Sequence, residues 1–380
     1  MTAPLNPLLH ATEAPPIPRA QAWVRDLPPR PDRPLLNLSQ AAPADPPPLA
    51  LREALARAVV DDDTMHLYGP VLGLPALRRA LAEKTMEIYG ARVEAAQVAI
   101  TAGCNQAFVT ALGTLAGPGD EVILPVPWYF NHKMACDMAG VRAVPLPCGD
   151  GMLPDPDAAA ALITPATRAI VLVTPNNPTG AEYPAQLMAA FRDLCAARGL
   201  ALVVDETYRD FHGTAGAPHD LFADMGWDRT LIHLYSFSKA FRLTGHRVGA
   251  MIAHPDRLAE AEKMLDTVTI CPAQPGQQAA LWGLRHLDNW VAGERAGILS
   301  RRRAITDGFA ALPGWDLDCC GAYFAWVRPP WDMPSEQAAR HLLDRAGILA
   351  LPGAFFAPDG DVASDRHLRV AFANADAAGI

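Results

Sequence analysis

The chain lacks any apolar run approaching the ~20 residues that a membrane-crossing helix requires. Its opening, MTAPLNPLLHATEAPPIPRA, has no basic segment leading into an apolar core, so it does not read as a secretion signal. Basic tracts are missing too. Against 41 Asp and Glu stand 32 Lys and Arg, and a net charge of −9 argues against nucleic acid as a partner. Cysteine is sparse and irregular. The seven are odd in number and scattered, and they include the adjacent pair Cys319-Cys320, which fits neither a disulfide framework nor a metal-ligand spacing. A reducing, cytoplasmic setting is expected. No internal repeat is visible, and nothing outside the proline-rich beginning is of low complexity.

What is present suffices for two domains, since 380 residues, half of them hydrophobic, can bury a sizeable core. Residues 1–48 hold many of the 36 prolines with little periodicity and read as an extended arm, with Ser39 to Pro43 as an ordered turn. Helical patterns follow over 49–60 and 75–90, the second opened by Pro75 and stopped by Gly90. From Gln97 to His254 apolar runs at 98–101, 121–125, 141–146, 168–174, 200–206, 230–236 and 247–253 alternate with amphipathic stretches such as 184–199. Strands apolar throughout and spaced by helices predict a mostly parallel seven-stranded sheet covered on both faces. Long helices broken at Pro272 and Pro275 fill 255–308. Residues 309–380 mix strands around Trp315, 321–327 and 367–373 with a helix at 335–347. The expected class is α/β, with a large domain over 49–285 and a smaller α+β domain built from the chain ends, 1–48 and 286–380.

Ligands of such sheets sit at the carboxyl ends of the strands, and polar residues gather there. Leu231 to Leu234 breaks into Ser236-Phe237-Ser238-Lys239 and then Gly245-His246-Arg247. A desolvated lysine amine can condense with a carbonyl, and the planar fork of Arg247 suits a phosphate. Asp205 closes another strand; it is either a helix cap or the partner of a cation such as a protonated pyridine nitrogen. Tyr208 is a packed tyrosine or a donor to a ring oxygen, and Asn177 in TPNNPTG is turn chemistry or a second donor there. In TAGCNQAF a strand gives way to a helix at Gly103, where free N–H groups form an anion site. Tyr129 follows the second strand as a core aromatic or a face that stacks on a flat ring. Arg369, a cation within the apolar run HLRVAFA, suits a carboxylate from a substrate or from the chain itself. Tyr68, beside Gly69-Pro70, reads as a surface turn.

Taken together, NNPTG, DETY, SFSK with GHRVG, and HLRVAFA resemble, in order and spacing, the class I and II aminotransferases of fold type I, over roughly Leu35 to Ala373. The resemblance implies pyridoxal 5′-phosphate (PLP) joined to Lys239 as a Schiff base, with Lys239 also carrying the proton at the substrate α-carbon. It implies Asp205 at the pyridine nitrogen, Asn177 and Tyr208 at the ring oxygen, and Tyr129 stacked on the ring. Gly103, Cys104, Asn105, Ser236, Ser238 and Arg247 would hold the phosphate, and Arg369 the substrate α-carboxylate. Tyr68 would reach the neighbouring subunit's phosphate in a homodimer. Two departures stand out: Ala41 occupies a position where the family often has glycine, and the chain stops soon after HLRVAFA, as a truncated relative would.

Transamination between an amino acid and a 2-oxo acid is the expected activity. A C–S β-lyase is the alternative on the same scaffold, and a PLP-sensing regulator is a third reading that the missing DNA-binding segment disfavours. Trp23, Tyr129 and Phe324 are expected as walls of an apolar or aromatic side-chain pocket.

Overall fold

The computed structural model describes residues 3–25 and 34–375. Its main layer is a seven-stranded sheet, ordered in space Val98–Thr101, Gly249–Ile252, Leu231–Ser236, Ala201–Asp205, Thr167–Val173, Glu121–Val126 and Arg142–Pro147. Gly249–Ile252 runs antiparallel to both neighbours, and the remaining pairs are parallel. The α/β expectation therefore holds, including the one reversed strand that "mostly parallel" allows.

Why these runs are strands is visible in their burial. Ala201–Asp205 and Leu231–Ser236 are buried at every position, because helices cover both faces of the sheet. Successive side chains point to opposite faces. Leu202 and Val204 thus enter one core with Met188 and Phe191 of the helix Ala185–Arg198, while Val203, Ile232 and Leu234 enter another with Phe108 and Leu258. Each fully buried aliphatic side chain contributes ~1.5–3 kcal/mol.

A second, antiparallel sheet has the order Leu351–Pro352, Leu368–Ala371, Phe324–Arg328 and Asp316–Gly321. The chain ends meet beside it, where Leu36–Asn37 pairs in parallel with Ile348–Leu349. Arg369 lies opposite Trp326 in this sheet, so its long side chain is committed to a packed interior.

Two described segments of the first 48 residues depart from the extended arm expected of them. Asn6 caps the helix Pro7–Ala11, and Pro16–Arg25 forms a second helix that buries Ala20 and Trp23. Proline density misleads here, because proline in a first helical turn gives up an N–H that has no partner anyway. Trp23 packs 6.3 Å from Phe355 between ring centroids, and the Arg340 guanidinium lies 4.3 Å over its ring. The part of the arm at 26–33 lies outside the described residues, as does the chain after Ala375.

If the second helix is part of the core, Trp23→Ala should destabilise the protein by about 3–5 kcal/mol. Thermal unfolding followed by circular dichroism should show a clearly lowered midpoint; an unchanged midpoint would mean that the segment does not contribute to the packed structure.

Candidate active site

The carboxyl ends of the parallel strands open onto a cavity of about 150 Å³. It is lined by Lys239, Asp205, Asn177, Tyr208, Tyr129 and Arg247, and also by Cys104, Asn105, Ser236 and Ser238. Residues predicted from distant parts of the chain thus converge.

Lys239 leaves the strand Leu231–Ser236 through the short helix Phe237–Ala240, which Ser236 caps by accepting the Ser238 N–H at 3.2 Å. Its Nζ donates to the Ala41 carbonyl at 2.6 Å. The alanine at the position where glycine was noted therefore offers its backbone oxygen to the site. Burial, with Arg247 and Arg369 nearby, lowers the Lys239 pKa to about 8. Only about a tenth of the amine is then unprotonated at pH 7, still far more than for a free lysine.

Asp205 ends the next strand, and its Oδ1 accepts from the backbone N–H and the hydroxyl of Thr207 at 3.0 and 2.7 Å. Its other oxygen, Oδ2, lies 3.3 Å from His132 Nε2. Burial pushes this carboxyl up, but His132 and the Thr207 donors outweigh it, and the net pKa is below the ordinary range. Asp205 is held as an anion. His132 went unnoticed in the sequence; it lies on the helix Phe130–Ala139, stacks 3.8 Å from Phe108 and meets Tyr129 edge-on. Its one sequence signal is its place three residues after the aromatic, one helical turn along. Thr207, inside DETY, was also passed over.

On the opposite side of the same strand end, Glu206 is wholly buried. Its Oε2 lies 2.7 Å from His233 Nε2 and 3.2 Å from His219 Nε2, and it accepts from the Tyr89 hydroxyl. Burial opposes its charge, yet the two histidines hold it well below the usual carboxylate range. This cluster ties the two strands that carry Asp205 and Lys239 to the helix Pro75–Tyr89.

Gly103 does not line the cavity but shapes its edge. It precedes the helix Cys104–Gly113 with φ +90, and a Cβ there would lie 2.2 Å from Arg247 Nη2. Only glycine admits both that conformation and that approach. Arg247 itself donates to Ser238 Oγ at 3.4 Å and to the Thr244 carbonyl at 3.0 Å. Tyr129 donates to Asn105 Oδ1 at 3.2 Å and accepts from Asn131 at 2.9 Å, so its ring is fixed from both sides.

Arg369 reaches the cavity through Asn177, whose Oδ1 accepts from Nη1 at 3.0 Å; Nη2 donates to the Ser39 carbonyl. No carboxylate pairs with it among the described residues, and its Nε has no partner. Burial lowers its pKa to about 10. The arginine remains a cation and keeps hydrogen-bonding capacity unused.

Tyr68, expected to serve a neighbouring subunit, is 79% exposed and does not line the cavity of its own chain. One expectation is placed differently. Trp23, expected as a pocket wall, packs against Phe355 and Arg340 instead, because the helix it lies on faces the small-sheet core. Phe324 lies behind the cavity, under Arg369 and edge-on to Tyr208.

Residues 33–380 match the family model described as aminotransferase class I and II. An aromatic aminotransferase of Arabidopsis thaliana is 30% identical, over 86% of this chain and 82% of its own length. The arginine–pyruvate transaminase of Pseudomonas aeruginosa is 32% identical, over 85% and 83%. Among solved structures, the aspartate aminotransferase of Thermus thermophilus with maleate superposes with a TM-score of 0.89 at 27% identity, covering 98% of this chain and 96% of that one. With a family model spanning nearly the whole chain and a cavity assembled at the strand ends of the same fold, the chain belongs to the class I and II aminotransferases.

Proposed function

We propose that this aminotransferase uses PLP and moves an amino group between an amino acid and a 2-oxo acid, with Lys239 as the Schiff-base lysine. The observation that carries the reading is the half-buried Lys239 amine, held by one backbone carbonyl and opening onto the same cavity as an anionic Asp205. The residues fit PLP. The contact between Gly103 and Arg247 leaves a cradle that a Cβ would fill, and Ser236, Ser238, Cys104 and Asn105 surround it with donors suited to a phosphate. When bound, PLP supplies an aldehyde for the amine and a protonated ring that draws electrons from the substrate α-carbon.

The protein's part is binding, orientation and proton transfer. Asp205 retains a negative charge where a pyridinium N–H would sit, and Asn177 and Tyr208 offer polar groups at the ring oxygen. Tyr129, braced by Asn105 and Asn131, provides a flat face. Arg369, with no carboxylate of its own, takes the substrate α-carboxylate. Lys239 Nζ, with its lowered pKa, accepts the proton from the substrate α-carbon and returns it. Tyr68 points outward and completes the site of a second copy, which makes the enzyme a homodimer. Exposed Leu49, Val60 and Leu67 supply apolar surface near it in sequence. The free state of all seven cysteines supports a cytoplasmic location.

The relatives' names span aromatic and acidic substrates and arginine, so the amino donor is an open variable of the test. Protein supplied with PLP should show a visible absorption band, and borohydride should fix the cofactor on Lys239. Lys239→Ala should lose both, with kcat down by at least about a thousandfold. A donor panel with pyruvate and 2-oxoglutarate should show amino transfer that depends on the oxo acid. Pyruvate release from an S-substituted cysteine without an oxo acid would move the assignment to β-elimination.

The lysine also makes a prediction for the cofactor-free protein. Its folded pKa of about 8 lies below the ordinary lysine value of 10.5, so between those values the folded state binds fewer protons than the unfolded state. The resulting penalty is full below pH 8, shrinks as pH rises and is gone above about 10.5. At 1.36 kcal/mol per pKa unit it amounts to at most about 3 kcal/mol. Cofactor-free Lys239→Met should therefore resist urea better than the parent at pH 7, with the advantage narrowing towards pH 10. A pH-independent difference would contradict the burial argument.

A further inference from the structure

Tyr68 is exposed, yet the loop that carries it is tied down at four backbone positions. Gln274 Nε2 donates to the Leu67 carbonyl at 3.4 Å, and the Gly69 N–H donates to Cys271 Sγ at 3.3 Å. The Ile100 N–H donates to the Leu72 carbonyl at 3.0 Å, and the Leu74 N–H donates to Gln277 Oε1 at 2.7 Å. Gln277 is completely buried, and its Nε2 donates to the Pro272 carbonyl at 2.8 Å. Both ends of that amide are engaged, which fixes its orientation.

Gln274 and Gln277 lie one turn apart on the helix Gln274–His286, so both face the loop. The loop backbone presses against them. A Cβ on Gly69 would lie 2.2 Å from Gln274 Nε2. Burying two amides costs free energy unless they are bonded, and here the bonded arrangement serves a segment whose aromatic side chain touches little of its own chain.

We infer that Gln277, assisted by Gln274, is a positioning residue that holds Tyr68 in place for the site of a second copy of the chain. Damage to this amide weakens PLP binding in the neighbouring subunit and spares the subunit that carries it. The inference rests on the reading above that Tyr68 completes the neighbour's site.

Mixed dimers of two differently tagged full-length chains separate the possibilities. One chain carries Lys239→Ala, so only the other can form the visible PLP band or be fixed by borohydride, and its PLP dissociation constant is read by titration. Gln277→Leu placed on the Lys239→Ala chain should raise that constant about tenfold, the size of one lost hydrogen bond. The same change on the intact chain should leave it within about twofold. Tyr68→Phe on the Lys239→Ala chain is the calibration and should also raise the constant. If Tyr68→Phe raises it and Gln277→Leu does not, or if Gln277→Leu acts on its own subunit, the positioning role is wrong. If Tyr68→Phe has no effect across the dimer, the reading of Tyr68 falls and the positioning role with it. Should Gln277→Leu not fold, Gly69→Ala displaces the same loop through Gln274 and is judged by the same outcomes.

Discussion

The site depends on a half-buried amine whose hydrogen bond goes to a backbone carbonyl and not to a carboxylate. Lys239 Nζ donates its hydrogen bond to the Ala41 carbonyl and has two guanidinium groups nearby. A carboxylate in hydrogen-bonding reach would hold the amine protonated and unreactive. The fold therefore keeps its carboxylates occupied elsewhere, Asp205 with Thr207 and His132, and Glu206 with two histidines and Tyr89. The desolvation cost of the lysine is offset by the packing of two cores around the central strands of the sheet.

Adjacent residues divide this work because a strand alternates its faces. Asp205 turns to the cavity and Glu206 to the opposite side, so one strand end presents an anion to the site and anchors itself by another. The Glu206 cluster adds side-chain links between two strands already joined by backbone pairing. Arg369 is the counterpart from the second sheet. Its contacts with Asn177 and Ser39 join the small sheet, the large sheet and the N-terminal segment at one guanidinium.

Much of this arrangement was legible in the residues. Seven apolar runs between amphipathic stretches specified the sheet, since strands covered on both faces need to be apolar throughout. Lys239, Asp205 and Asn177 stood out because each follows such a run, where the chain leaves the core. His132 and Thr207 did not stand out, because neither ends a strand and their importance comes from what they approach. The Ser39 and Ala41 carbonyls could not be read at all, since a backbone oxygen has no letter of its own. The proline-rich beginning was misread as extended, although Pro16 opens a helix that buries Trp23.

The sequence by itself determined the class of the fold, the family, and the set of polar residues at the strand ends, because burial pattern and local turn chemistry are written in residue type and spacing. Tertiary structure alone decided the lowered pKa of the lysine, the sharing of Asp205 between Thr207 and His132, the absence of a carboxylate beside Arg369 among the described residues, and the anchoring of the Tyr68 loop by two buried glutamines. Those properties depend on distance and desolvation between groups far apart in the chain, and such distances exist only once the sheets and helices have packed.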